Sequence, residues 1–398
     1  MRVTHVITRL VVGGAQENTV SSVLGLAAIP GIECDLVSGP THGPEGSLEH
    51  AFASHPALLR IQPRLVRPVA PIRDLLAYRA LKRLFQTERP DIVHTHSGKA
   101  GFVGRLAARA AKVPLVLHTI HGPSFGAFQG ALANRLFTEA ERHAGRATDH
   151  FVVVADAMRD QYLAAGIGRP DQYTTVRSGF DLEPFLAAPN DQALRHSLGL
   201  KPTDFVVGKI ARLFDLKGHE DLFAIAPALM ERLPNLKFLF VGDGVHRRRF
   251  EGLAAELGFG DRFVFAGLVP PGEVWRLVGL MDALVHLSRR EGLPRAIPQA
   301  LAAGKPVVAF NCDGAREVCV DGKTGFLLEP GDLSGLSRRL EELASSPELR
   351  YQLGSAGRDL VRAQFSVEVM VGSLHRLYLE LLDKTTARRP PSPPRPAP

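Results

Sequence analysis

Apolar residues along the chain come in short blocks broken by glycine, proline and polar clusters, and the stretches between the blocks carry helical spacing. VTHVIT reads as a first strand, and Gly13-Gly14 separates it from a helix predicted from about Ala15 to Leu26. IECDLVS, DIVHTHS, PLVLHTIHG and HFVVVAD continue as strands, with TTVRSG a short last one. DLLAYRALKRLFQTERP and KAGFVGRLAARAAK read as helices between them, the former stopped by Pro90. A second cycle opens near residue 203 with DFVVGKIAR, runs through LKFLFVGDG, RFVFAGLV and ALVHLS, and closes with KPVVAF and GFLLEP. Strand, turn and helix in repetition predict parallel sheets covered by helices, an α/β chain of two Rossmann-like domains. The pattern predicts a first domain over 1–185 and a second over 190–365. A last helix over about 366–385 is expected to cross back to the first domain. Pro184, Pro189 and Asn190 mark 181–201 as the linker. The proline-rich segment 386–398 is expected to be disordered.

Composition narrows the class. The 398 residues are 45% hydrophobic and 22% charged, enough for a core in each of two domains. No apolar run approaches the roughly 20 residues that span a bilayer. MRVTHVITRLVVGGAQ lacks the layout of a secretory signal, and Cys34, Cys312 and Cys319 have no metal-ligand spacing. A cytoplasmic protein is expected. The net charge of +7 is partly local: Arg60, Arg64, Arg67, Arg73, Arg79, Lys82 and Arg83 face Asp74 alone between residues 60 and 83. That stretch is either a solvated helix face and loop or a surface for anionic headgroups at the inner face of a membrane. Nucleic acid is not an expected partner, because no stacking aromatics or recognition helix accompany the charge.

Four groups of residues could carry chemistry. Gly13 and Gly14 lie between a strand and a helix, where a backbone can approach phosphate closely, although tight turns use glycine anyway. Arg212 and Lys217 follow a buried strand and precede a helix, which puts two cations at the carboxyl end of a parallel sheet, where doubly wound folds bind ligands. Two solvated loop charges would look the same. In SRREGLPRAIPQALAAGK, Glu291 follows a strand, Pro294 suits a helix's first turn, and Gln299 falls about two turns on, near the same face. Both could hydrogen-bond one ligand, or be a cap and a surface amide. Among the histidines, His94 and His96 are expected on opposite faces of their strand and so to be poor mutual metal ligands. His121, in a loop beside Gly122 and Pro123, suits a polar or proton-handling role at a cleft, whereas His94, His96 and His118 read as structural.

Taken in order, GGAQ, HTHS, HTIHG, RSGFDLEPF, the Arg212–Lys217 pair, VGDG, FAGLV and EGLPRAIPQALAAGKPVV resemble the retaining glycosyltransferases of family 4, which have the two-domain GT-B fold with its sheets facing across a cleft. The resemblance implies that Gly13 and Gly14 lie near a donor diphosphate, which Arg212 and Lys217 bind. It implies donor contacts at Gly242 and at the backbone near Val269, the latter to the nucleobase. Glu291 with the backbone of Gly292 and Leu293 would hold the transferred sugar, and His121 would project toward the reacting centre. No metal and no cofactor beyond the nucleotide-sugar co-substrate is expected. The family motif has a second glutamate where this chain has Gln299, which keeps hydrogen bonding but brings no charge, and Pro298 removes a backbone donor. The expected reaction is transfer of a hexosyl unit, from a UDP-sugar or GDP-mannose, to a hydroxyl of a glycan, a lipid-linked glycan or a small molecule. A nucleotide-sugar epimerase or hydrolase of the same architecture and a non-catalytic sugar-nucleotide sensor are the alternatives.

Overall fold

The computed structural model describes residues 1–42, 46–126 and 128–387, so most of the proline-rich tail lies outside the described residues. Two compact units emerge. The first comprises Met1–Val154, Met158–Gly179 and the chain from Val367 onward, and the second Ala155–Ala157 and Phe180–Ser366.

The first unit is built on seven strands: β1 (Arg2–Ile7), β2 (Glu33–Ser38), β3 (Leu59–Ile61), β4 (Ile92–His96), β5 (Leu115–Ile120), β6 (His150–Val153) and β7 (Tyr173–Thr175). They are all parallel, in the order β3-β2-β1-β4-β5-β6-β7. The second unit holds β8 (Phe205–Ile210), β9 (Leu236–Val241), β10 (Phe263–Gly267), β11 (Ala283–His286), β12 (Val307–Phe310) and β13 (Gly325–Leu328), also parallel, in the order β10-β9-β8-β11-β12-β13. Helices cover both faces of such sheets, which is why the central strands are apolar runs and not strict alternations. Each sheet reverses its winding once, between β1 and β4 in the first and between β8 and β11 in the second. Loops diverge at such a switch point and leave a crevice at the carboxyl ends of the strands.

The helix Val367–Ala387 belongs to the first unit. Met370, Val371, Leu374, Leu377 and Tyr378 join its core, and Val371 packs so closely on the helix Gly14–Ala27 that a Cβ on Gly25 would lie 2.5 Å from it. No helix among the described residues is long and apolar enough to cross a membrane.

The segment expected to be a linker is folded. It forms the helices Glu183–Leu186 and Gln192–Ser197 in the second unit, with Phe185 and Arg195 buried. Pro184 sits in a helical first turn, where its missing N–H costs nothing. The Arg195 guanidinium donates to the carbonyls of Leu280, Lys201 and Asp204 and to Asn190 Oδ1, so composition that reads as loose is tied by one buried side chain.

The basic stretch divides. Arg60 pairs with Glu88 and Asp35, while Arg64, Arg67, Arg73, Arg79 and Arg83 are exposed. Val69, Ile72 and Leu75 are exposed among them.

Candidate active site

The four strands β10, β9, β8 and β11 are neighbours, and the chain leaves their carboxyl ends at Val269, Gly242, Arg212 with Lys217, and Glu291 respectively. Topology alone therefore brings the second unit's candidates onto one sheet edge. The closest meeting is between Lys217 and Glu291, 74 positions apart, whose Nζ and Oε1 lie 2.5 Å from each other with both side chains about four-fifths buried (18% and 22% exposed). Burial pushes the Glu291 carboxyl up, but the Lys217 charge, with hydrogen bonds from Lys217 and Ser288, outweighs it and holds the group below the usual carboxylate range. His286 Nε2 is 3.7 Å from the same oxygen, and burial lowers this imidazole to about 4, leaving it neutral.

The loops around the pair are held by strained backbone. Asp313 accepts the Glu291 N–H at 2.7 Å, and Leu216 accepts the Arg289 N–H at 2.8 Å. Both Asp313 and Leu216 have positive φ, 48° and 65°. A left-handed leucine is costly and persists only where its surroundings over-determine it, a condition concentrated at ligand clamps. Arg289 completes the frame with two bonds to Asp221, 2.7 and 2.9 Å, and the Gly292 carbonyl accepts from Gly314 N–H at 3.0 Å.

The remaining candidates are less closely engaged. Arg212 is exposed and its guanidinium lies 5.0 Å from the centre of the Phe214 ring. Gly242 has a structural reason for being glycine: its φ is +135°, and a Cβ there would lie 2.2 Å from the Ala211 carbonyl oxygen. Val269 and Leu293 are half-buried against the unit's core. Gln299 is also half-buried, yet the expectation that it sits two turns along the same helix face as Glu291 does not hold. The helix is Ala296–Ala302, and Glu291 lies in the loop before it, with Pro294 ahead of the first turn. Pro298 falls in that first turn, where the N–H it lacks would have no helical partner anyway.

In the first unit the carboxyl ends of β1, β4 and β5, again adjacent, present Gly13-Gly14, the β4 histidines and His121. A Cβ on Gly14 would meet nothing within 4 Å, so neither packing nor backbone requires glycine there. His94 and His96 do not point to opposite faces. Residues two apart in a strand share a face, and the two rings stack at 4.6 Å. His5, beside His94 on β1, joins them. His118 faces away, bonded to Thr95 and roofed by Gly101, where a Cβ would lie 2.4 Å from its ring.

Could a metal sit here? Among the described residues His5, His94 and His96 form the one group of three candidate ligands close enough to share an ion, with ligand atoms within 4.8 Å of one another. Every ring nitrogen of the three already has a hydrogen-bonding neighbour. An ion would have to displace several of those bonds.

Residues 12–184 match the model of Glycosyltransferase Family 4, and residues 190–360 match that of Glycosyl transferases group 1. The chain is 31% identical over 325 residues to EpsD of Bacillus subtilis (strain 168), a glycosyltransferase by assignment, covering 80% of this chain and 84% of that one. The chain belongs to glycosyltransferase family 4. This glycosyltransferase is also 27% identical, over 80% of its length and 83% of the relative's, to the UDP-Gal:alpha-D-GlcNAc-diphosphoundecaprenol alpha-1,3-galactosyltransferase of Escherichia coli. Its fold is that of the Anabaena protein Alr3699/HepE, solved with UDP: TM-score 0.80 at 21% identity, over 96% of this chain and all of the other.

One residue of the glycosyltransferase's second unit stands out although no motif contains it. Lys209, in the apolar strand β8, is 2% exposed, and burial, then repulsion from Lys217, lowers its amine to about 7 from an ordinary 10.5. A lysine inside VVGKI was the available signal. Because the unfolded chain binds this proton more tightly, stability is expected to rise with pH from about 7 to 10.5. Lys209→Met should flatten that rise and raise the melting temperature at pH 7 by a few degrees, measured by thermal melts across the range. An unchanged pH slope would show that the amine is solvated.

Proposed function

We propose that this glycosyltransferase moves a hexosyl unit from a nucleoside diphosphate sugar, with a UDP-sugar favoured and GDP-mannose the other candidate, to a hydroxyl of a glycan or lipid-linked glycan, with retention at the anomeric carbon. The observation that carries the reading is the Lys217–Glu291 pair, flanked by Arg212, on the carboxyl edge of the second sheet. A carboxylate held ionised there can accept hydrogen bonds from sugar hydroxyls. The two cations can take up the charge of a departing diphosphate, a task that in other enzymes falls to a metal.

The bond from the anomeric carbon to phosphate oxygen breaks with its electrons on the phosphate. The acceptor oxygen bonds to that carbon on the same face, and its proton passes to the leaving phosphate. No side chain acts as a covalent nucleophile; positioning and charge stabilisation supply the acceleration. The Escherichia coli relative's UDP-galactose and diphosphoundecaprenol-linked substrates, and the UDP in the Anabaena structure, support the donor class and a lipid-linked acceptor. Exposed Arg67, Arg73 and Arg79 beside Val69, Ile72 and Leu75 suit peripheral contact with an anionic membrane, which sedimentation with anionic against neutral vesicles would test.

The deciding experiment is thermal stabilisation by UDP, GDP, ADP and their hexose conjugates, with Glu291→Ala beside the native protein. A ligand at about 100 times its Kd stabilises by about 2.7 kcal/mol, so the preferred base should give a clear shift that Glu291→Ala weakens for the sugar conjugate. No shift with any nucleotide would sink the reading. Free sugar released without acceptor would turn it into a hydrolase.

A further inference from the structure

Beneath His121 lies a continuous line of buried hydrogen bonds. His121 Nε2 meets His96 Nδ1 at 3.1 Å, and His96 Nε2 meets His5 Nδ1 at 2.8 Å. His5 Nε2 is 3.4 Å from the Tyr378 hydroxyl, which meets His94 Nδ1 at 2.5 Å, and His94 Nε2 meets Thr119 Oγ1 at 2.6 Å. His5, His94, His96, Thr119 and Tyr378 are each at most 3% exposed. All six of these groups belong to the first unit.

The chemistry of the line restricts it. A neutral imidazole donates through one nitrogen and accepts through the other, and a hydroxyl can do both. Burial, as the largest cause, lowers His5 to about 3, His121 to about 4, and His94 and His96 well below the ordinary histidine range, so all four rings are neutral near pH 7. No carboxylate and no cation takes part in these bonds. With four neutral rings and the Tyr378 O–H also paired within the line, all five bonds can be made in two ways only. Either every proton points from His121 toward Thr119, or every one points from Thr119 toward His121. If Tyr378 accepts from both His5 and His94, its own O–H is left without a partner in the line. Any other mixed arrangement leaves two donors or two acceptors facing each other, deep in the unit, where an unmade bond costs most. In the first arrangement His121 carries its proton on Nε2 and presents Nδ1 as an acceptor. In the second, Nδ1 carries the proton and is a donor.

We infer that this chain of three buried histidines, one tyrosine and one threonine couples the His121 tautomer to the direction of the whole line, so that groups as distant as Thr119 bias which His121 nitrogen bears the proton. His96, His5, Tyr378 and His94 are then positioning residues that act through His121, over a path that passes through Tyr378 on the helix Val367–Ala387 and ends on β5 at Thr119. The inference rests on the reading of His121 as an active-site histidine for its functional consequence, but not for the coupling itself.

The test uses the full chain with ring-15N histidine. The His121 signals, assigned by their loss in His121→Gln, report its tautomer. In the native protein one tautomer is expected. Tyr378→Phe removes only a hydroxyl, three hydrogen bonds away from His121 along the line, and should convert His121 to a mixture of tautomers. It should also lower kcat about ten-fold, as losing an outer partner of a working histidine commonly does, with KM for the nucleotide sugar unchanged. Should that variant fail to fold, Thr119→Val is expected to give the same mixture, while Thr119→Ser keeps the hydroxyl and the single tautomer. An unchanged His121 tautomer in Tyr378→Phe or Thr119→Val overturns the inference, as does stoichiometric zinc in the native protein. If the tautomer responds but His121→Gln retains full activity, the coupling stands and the catalytic reading of His121 falls.

Discussion

Lys217→Ala is expected to lower kcat/KM for the nucleotide sugar by about 10²–10³, the range seen when one preorganised donor to a developing negative charge is removed. Two effects combine. The diphosphate loses a cation fixed at the strand end, and Glu291 loses the partner 2.5 Å away that offsets its burial. Without Lys217 the Glu291 carboxyl should move up from its depressed position, because burial is the largest influence on it and Lys217 the main opposing one. Activity of the variant should therefore fall more steeply than that of the native enzyme as pH is lowered. Lys217→Arg should recover only part of the loss, since a planar fork does not replace a point charge in a fitted site. The pair is about four-fifths buried, so removing Lys217 also costs folding stability by leaving Glu291 without its partner, and melting curves separate that loss from the catalytic one. Steady-state kinetics on the identified donor measure the loss. An activity within three-fold of native would remove Lys217 from the diphosphate site.

How far such a site can be read in advance depends on the kind of information it uses. Arg212, Lys217 and Glu291 were legible because each follows an apolar block that can only be a buried strand, and the carboxyl ends of parallel strands share one edge of the sheet. The meeting of Lys217 with Glu291 also needed the strand order. β8 and β11 are neighbours across the winding reversal, and nothing local in either block says so. Asp313, which holds the Glu291 backbone, arrives by the same route through β12. His94 and His96 are a different case: they stand two apart in DIVHTHS, and a period of two puts both rings on one face of β4, not on opposite faces. Tyr378 lay beyond reach, since its contact with His94 spans 284 positions and joins a helix to a strand that no shared pattern connects. The folded segment 183–197 shows the limit of composition, because proline and asparagine report local geometry, whereas Arg195 binds carbonyls that tertiary structure delivers.

Arg105→Met is expected to be the most destabilising single change considered, at about 3–5 kcal/mol, the cost of breaking a buried ion pair by removing one partner. Arg105 is fully buried and Glu141 is 4% exposed. The guanidinium reaches Glu141 Oε2 at 2.7 Å, the Gly101 carbonyl at 2.8 Å and Thr148 Oγ1 at 3.5 Å, tying the helix Gly98–Ala110 to the helix Ala131–Gly145 and the turn after it. Methionine fills much of the same volume, so the loss would come from a carboxylate left unpaired in the interior and not from a cavity. The decisive comparison is the double variant Arg105→Met/Glu141→Leu. If the cost is the orphaned charge, the second substitution should restore most of the stability lost to the first, because an apolar pair of similar size is often as stable as a buried ion pair. If the cost is packing, the double variant should be no better than the single one. Urea unfolding gives the totals, and amide exchange in the helix Gly98–Ala110 shows whether the weakening begins there. That helix starts two residues after His96, so a loosened Arg105 should reach the histidine line through its anchoring strand and lower activity even where the chain remains folded.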